Sequence, residues 1–358
     1  MNFLLSDEQQ QLQDALARLL RAECPSRRVH EIMDSQAGYD ADLWGKLLEF
    51  GVGGACIDAA YGGSGMEMID LALMAEALGF AGAPAPFLGH ALAGLAIGLS
   101  ADEEAKAEWL PKLASGEAMA TVAFAEAEAD WQPEQWTLTA APGLSGTKHG
   151  VPNGLEAQLA VVGLAGGRLA LVELDQPGIS RRRPVGVDLT RPLDVLTFEN
   201  ARARLLQGPP ALADRVRDAA LVLLAADAFG GATRALEMAV RYSQERVQFG
   251  VTIAHFQALR HQLADMALEA EPCRGLYWYA AYAFDHVPEE ASHAAAQAKA
   301  YVCETFLQVS RAGLEAHGGI GFTVDADPHI WVKRAMFDFA WMGMARVHRA
   351  RAAELSGW

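Results

Sequence analysis

The chain is short of cysteines, of cations and of any metal-ligand spacing, and each shortage removes a class of function. Four cysteines in 358 residues, Cys24, Cys56, Cys273 and Cys303, lie far apart with no Cys-x-x-Cys pair. That excludes a disulfide framework or a zinc-ribbon site and predicts the reduced thiols of a cytoplasmic protein. Lys and Arg number 29 against 45 Asp and Glu, a net charge of −16. This balance argues against nucleic acid and against an anionic membrane surface as partners. The most apolar stretch, residues 71–99, is interrupted by Glu76, His90 and Gly/Pro bends, so no membrane span is expected. The opening MNFLLSDEQQ turns acidic at once, so no secretion signal is expected. His255 and His261 have no third ligand at metal spacing, and no metal site is expected. Gly-x-Ser-x-Gly, Walker and dinucleotide-binding fingerprints are all missing, as are internal repeats.

What is there is an apolar chain, 51% hydrophobic, long enough for a large buried core. Ser6 with Asp7 and Glu8 reads as a helix N-cap, the helix ending before Pro25. Further helices are expected at about 40–50, ended by Gly51, at 67–78, and between 84 and 118. From 119 to 206 the texture changes to short β-type runs, TVAFAEA, WTLTAAP, AQLAVVGLA, GRLALVELD and LDVLTFENA. Gly166 and Gly167 between two of them mark a hairpin. Helices return after Pro209 and Pro210: one to about 245 with Gly230 and Gly231 as a packing notch, then 255–284, 289–316 and 328–355. The expected fold is therefore α+β. It has an N-terminal helical domain (1–118), a middle β domain (119–206) and a C-terminal four-helix up-and-down bundle (207–358).

Residues 241–266, RYSQERVQFGVTIAHFQALRHQLADM, organise the chain. One helix is expected to end there with Gly250 as its C′ glycine and a second to begin near Ala254. Arg246, Gln248 and Gln257 are donors beside a helix start, a good place to hold an anion such as a pyrophosphate. The pattern R-x-Q-F-G-x-x-I-x-x-F-Q-x-x-x-H-x-L-A-D-M resembles the acyl-CoA dehydrogenase family, as does EAHGGIGFT at 315–323. The resemblance covers nearly the whole chain. It implies FAD shared at a subunit interface, an acyl-CoA substrate desaturated between C2 and C3, and an electron-transferring flavoprotein as acceptor. The acidic balance does not oppose a CoA ligand, which a few local cations can hold. By position, the neighbour-side FAD contacts map to Arg246, Gln248, Phe249, Gln257, Gly318 and Gly319. Glu315 stands where the family usually has glutamine.

Other family positions depart. Of the T-E-P-x-x-G-S-D stretch only Glu126 survives, in residues 124–130. The stretch that covers the flavin corresponds to residues 150–154, GVPNG, where Asn153 fits but no Trp, Ser or Thr stands. Abstraction of an α proton needs a carboxylate poised over C2. The family's Y-E-G-T position holds Trp341, Met342, Gly343 and Met344, so Met342 replaces the base. A second base position used by some members falls near Ala220. Asp227 and Asp338 are the nearby acids that could act as a displaced base; ion-paired or structural carboxylates are the plainer reading. One family branch is heteromeric, α2β2, and acts on steroid or other bulky acyl groups; one chain there keeps the base while its sister completes the FAD site. The resemblance therefore leaves three readings: such a partner subunit, a self-sufficient dehydrogenase (a homomeric dimer or tetramer), and a non-catalytic scaffold.

Overall fold

A computed structural model describes residues 4–35, 37–126 and 131–358. The element order is helical, stranded, then helical again, an α+β architecture. Helices α1 (Asp7–Glu23), α2 (Ser26–Ser35), α3 (Ala41–Phe50), α4 (Met68–Ala81), α5 (Phe87–Gly98) and α6 (Glu103–Ser115) come first. Strands β1 (Ala120–Ala123), β2 (Leu144–Pro152), β3 (Leu159–Leu164), β4 (Arg168–Glu173), β5 (Ile179–Arg182), β6 (Leu193–Ala201) and β7 (Arg204–Leu205) follow. The C-terminal bundle is built from α7 (Leu212–Glu245), α8 (Gln257–His286), α9 (Pro288–His317), α10 (Pro328–Ala340) and α11 (Ala345–Leu355). A two-stranded ribbon, β8 (Val247–Gln248) with β9 (Val251–Thr252), joins α7 to α8.

Local chemistry explains most of the boundaries. Ser6 and Gln9 form a reciprocal capping box at the start of α1. Asp40 caps α3 through the amides of Asp42 and Leu43, and Gly51 ends it in the left-handed conformation. The strands make two sheets, ordered β1-β3-β4-β7 and β2-β6-β5. The β3–β4 hairpin turns at Gly166 and Gly167, both left-handed, as expected. Leu144, Val162, Ala170, Leu196 and Phe198 are buried between the strands.

The chain divides into two compact units, one of Met1–Glu31, Ala72–Ala83 and Leu221–Trp358, the other of Ile32–Leu71 and Pro84–Ala220. In the first, α4 crosses α7 at glycine. A Cβ on Gly230 would stand 2.0 Å from the Glu76 carbonyl oxygen, and one on Gly79 would stand 2.1 Å from that of Asp227. The expected packing notch is thus a backbone-to-backbone crossing.

Several local expectations needed correction. The last helix is two, α10 and α11, because Met342 and Gly343 both take positive φ (63° and 103°) and break the i→i−4 ladder. Gly250 is not a helix C′ residue. It is the second central residue of the β8–β9 turn, after α7 has already ended at Glu245. WTLTAAP forms no strand, and α2 was not foreseen, its ten residues lying between Pro25 and a Gly-containing turn. One helix, α7, is long and apolar enough to cross a membrane by composition, against expectation, with mean hydropathy 1.4 in its most apolar window. That window is 83% buried inside the protein, so α7 is a core helix.

Candidate functional site

The helical unit carries two turns of interest. At the first, β8 and β9 close on a two-residue loop, Phe249 (φ 53°) and Gly250 (φ 82°), both left-handed as a type I′ turn requires. Glycine adopts this backbone freely; phenylalanine does so at a cost of about 1–2 kcal/mol. The Phe249 ring gains little cover in exchange. It is 92% exposed and meets the Phe256 ring edge-on, centroids 6.2 Å apart. Arg246, Gln248 and Gln257 are exposed as well. Gln248 donates to the carbonyl of Val247, and the side chains of Arg246 and Gln257 carry no bond or ion pair to other described residues.

The second is the glycine turn after α9, a 3₁₀ segment Gly318–Phe322. Gly318 has φ 65° and ψ −147°, a conformation essentially reserved for glycine. Cβ atoms built on Gly318 and Gly319 would meet nothing within 4 Å, so a ligand can reach the backbone there. Tyr242, in the last turn of α7, stacks on His317 with centroids 4.5 Å apart. The His317 Nδ1 donates to the Gly313 carbonyl at 2.6 Å, which fixes the ring. This stack ties the end of α7 to the glycine turn and places a cleft of about 490 Å³ beside them, lined by Arg241, Tyr242, His317 and Ile320. Exposed guanidinium and amide donors, as at Arg246 and Gln257, and bare glycine backbone, as at Gly318 and Gly319, are each of a kind that suits a phosphate-bearing ligand.

The turn between α10 and α11 has the opposite character. Met342 is wholly buried, its carbonyl accepting from His348 Nε2 at 3.0 Å. Lys299, also buried, donates Nζ to the carbonyls of Asp338 and Phe339 and so caps the end of α10. Asp338 itself is fully buried. Asp227 is gripped side-on by Arg334, Nε to Oδ1 at 2.9 Å and Nη2 to Oδ2 at 2.5 Å, and Arg334 also donates to the Ala83 carbonyl. Among the remaining cations of this region, Arg349 pairs with Glu304.

In the stranded unit, Glu126 is committed internally. It accepts from Lys148 Nζ at 2.8 Å, from the Thr137 and Leu138 amides and from the Thr137 hydroxyl. Burial works to raise its pKa, but these donors outweigh burial and hold it at about 2. Lys148 is wholly buried and also donates to the Phe124 carbonyl. The rest of that stretch, residues 127–130, lies outside the described residues, as do residues 1–3. At Gly150 a Cβ would stand 2.8 Å from the Trp131 ring, which lies against the bare backbone there. Asn153 (φ 49°) is 5% exposed, and its amide N–H donates to the Pro192 carbonyl.

Sequence reasoning did not single out Lys299, nor the pairing of Lys148 with Glu126 and of Arg334 with Asp227. A lone cation in an otherwise apolar helical repeat, as at Lys299, is the one local signal that could have found them.

The α–β–α order, the outward donor corner and the glycine turn define a chain of the acyl-CoA dehydrogenase kind, and comparison with known proteins agrees. The family profiles described as acyl-CoA dehydrogenase N-terminal domain and C-terminal domain match residues 6–117 and 220–356. Acyl-CoA dehydrogenase IpdE2 of Mycobacterium tuberculosis is 32% identical over 92% of this chain and 91% of that protein. Among solved structures, a variant of the steroid ACAD Tcur3481-Tcur3483 is 30% identical with TM-score 0.90, covering 98% of each chain. A chain of the electron transferring flavoprotein structure from Acidaminococcus fermentans is 28% identical with TM-score 0.89, covering 99% of each. The chain belongs to the acyl-CoA dehydrogenase family, FAD-dependent oxidoreductases that act on acyl-CoA thioesters.

Proposed function

We propose that this chain is the partner subunit of a heteromeric acyl-CoA dehydrogenase, completing the FAD site of a catalytic sister chain. The carrying observation is the contrast between an exposed corner, in which the Arg246 and Gln257 side chains bond no other described residue, and a buried methionine at the position expected of the base. In this reading Arg246, Gln248, Phe249, Gln257, Gly318 and Gly319 hold the pyrophosphate and adenosine end of a flavin whose ring lies on the sister chain. FAD, when bound, supplies the acceptor for the substrate hydride. This chain's own residues bind and orient it: Arg246 offers a fork of donors, Gln248 and Gln257 neutral ones, and the glycines close approach. The flavin-ring half of this chain does not suit a flavin, because Glu126 is spent on Lys148 and Trp131 lies over Gly150.

The name pair Tcur3481-Tcur3483 of a similar steroid enzyme supports both a two-chain assembly and a bulky acyl group. Four free cysteines fit a cytoplasmic location, and an electron-transferring flavoprotein is the acceptor we expect. A self-sufficient enzyme is less well supported, since Arg334 holds both Asp227 oxygens and Asp338 is sealed in the core. We keep 1–118, 119–206 and 207–358 as the proposed domains.

The test is visible absorbance and native mass of the chain expressed alone and with its sister. A colourless chain alone and a yellow heteromer together is the expected outcome. A yellow, active homotetramer would refute the reading, and Asp227→Asn and Asp338→Asn would then locate the base.

A further inference from the structure

A cleft of about 710 Å³ lies within the helical unit, between α1, α4, α7 and α10. None of the residues assigned to the flavin or to the base position lines it. Its volume is in the range of clefts that take a drug-sized ligand. Its walls are mostly apolar, from Ala17, Leu20, Ala77, Phe80, Ala81 and Trp331.

The polar groups in it are arranged unequally. Arg234, half-buried on α7, has its guanidinium carbon 5.5 Å from the Phe80 ring centroid and 5.5 Å from that of Trp331. Two aromatic faces hold a guanidinium well but leave its in-plane N–H donors free. Among the described residues no carboxylate pairs with it and no acceptor takes its hydrogens. Trp331 is anchored by its own Nε1–H, which donates to the Gly79 carbonyl at 3.2 Å. Arg234 is therefore a positioned cation without a counter-ion.

At another wall Glu76 accepts from the Tyr277 hydroxyl and from Gln13 Nε2 at 3.1 Å, and Trp278 donates to the Tyr277 oxygen at 2.6 Å. Burial raises the Glu76 carboxyl above its ordinary range, the Tyr277 and Gln13 hydrogen bonds and Arg274 only partly offsetting it, so it opposes an incoming anion less than a solvated carboxylate would. Asp14 and Glu237 line the same cleft but are exposed, as is Arg21. These three sum to one negative charge, and as solvated groups they are screened.

We propose that this cleft binds an organic carboxylate with an apolar body, its carboxylate on Arg234 and its body against Leu20, Ala77, Phe80 and Trp331. A free acid fits this description; the proposal does not depend on the subunit reading above.

The test is isothermal titration of the full-length chain, in the assembly in which it purifies, with octanoate and with octan-1-ol. Arg234→Gln should weaken octanoate on the order of tenfold, the loss of one charge-assisted contact, and leave octan-1-ol unchanged. Ala77→Leu narrows the apolar wall and should weaken both. Circular dichroism confirms folding of each variant, and if Arg234→Gln does not fold, Ala77→Leu decides alone. Octanoate binding that is absent from the wild-type chain, or that is untouched by the folded variants, overturns the proposal.

Discussion

Two turns in the same helical unit have opposite fates. The β8–β9 turn keeps a left-handed phenylalanine in solvent, and beside it the side chain of Arg246 makes no bond or ion pair to other described residues. The α10–α11 turn also has a left-handed non-glycine residue, Met342, but buries it completely and bonds its carbonyl to His348. Strain at Met342 is repaid inside the chain by packing. Phe249 gains no such cover from the described residues. The difference separates a turn closed by the fold from one left open to solvent.

That contrast can be broken at its closed side first. Arg334→Ala should cost about 3–5 kcal/mol, because Asp227 would remain buried without its guanidinium, and chemical denaturation would measure it. A loss below about 1 kcal/mol would mean that Arg334 does not hold Asp227 in a closed, buried pair. Next, Gly230→Ala places a methyl into the Glu76 carbonyl and should cost about 1–3 kcal/mol as α4 and α7 separate.

The open side should respond differently. Phe249→Gly should raise stability by about 1 kcal/mol through relief of the left-handed strain, while flavin retention by the heteromer falls. Arg246→Ala should leave the thermal midpoint nearly unchanged, within about 0.5 kcal/mol, yet also reduce bound flavin. If either substitution lowers stability as much as the closed-side ones do, the corner is structural.

A pH titration sharpens the same comparison in the stranded unit. Glu126 is held at about 2, below its ordinary value of 4.5. Its contribution to stability is therefore present above pH 4.5 and is lost as pH falls from 4.5 towards 2. In Glu126→Gln the acid-side slope of stability over that window should flatten.

Much of the fold was legible because its signals are local. Ser6, Asp40 and Gly51 mark helix ends through contacts a few residues away, and Gly166 and Gly167 dictate their own turn. The R-x-Q-F-G and G-G-I-G stretches were legible for the same reason. Where local patterns failed, a longer-range contact had decided. WTLTAAP reads as a strand, but its first residues instead serve Glu126: the amides of Thr137 and Leu138 and the Thr137 hydroxyl donate to that carboxylate, eleven and twelve residues back. The helix expected from 328 to 355 is interrupted by a turn whose Met342 packs into the core and whose end Lys299 caps from α9.

The sequence by itself determined the helical–stranded–helical order and the family, and by resemblance it puts Met342 at the position expected of the base. Only the tertiary structure decided which charges are spent and which are free. Asp227 and Arg334 are 107 residues apart, and Glu76 and Tyr277 are 201 apart. Nothing in the neighbourhood of either residue announces its partner, because such pairs are made by helix packing, which brings distant positions together. By the same packing Arg234 is left between two aromatic rings with its donors unclaimed by other described residues.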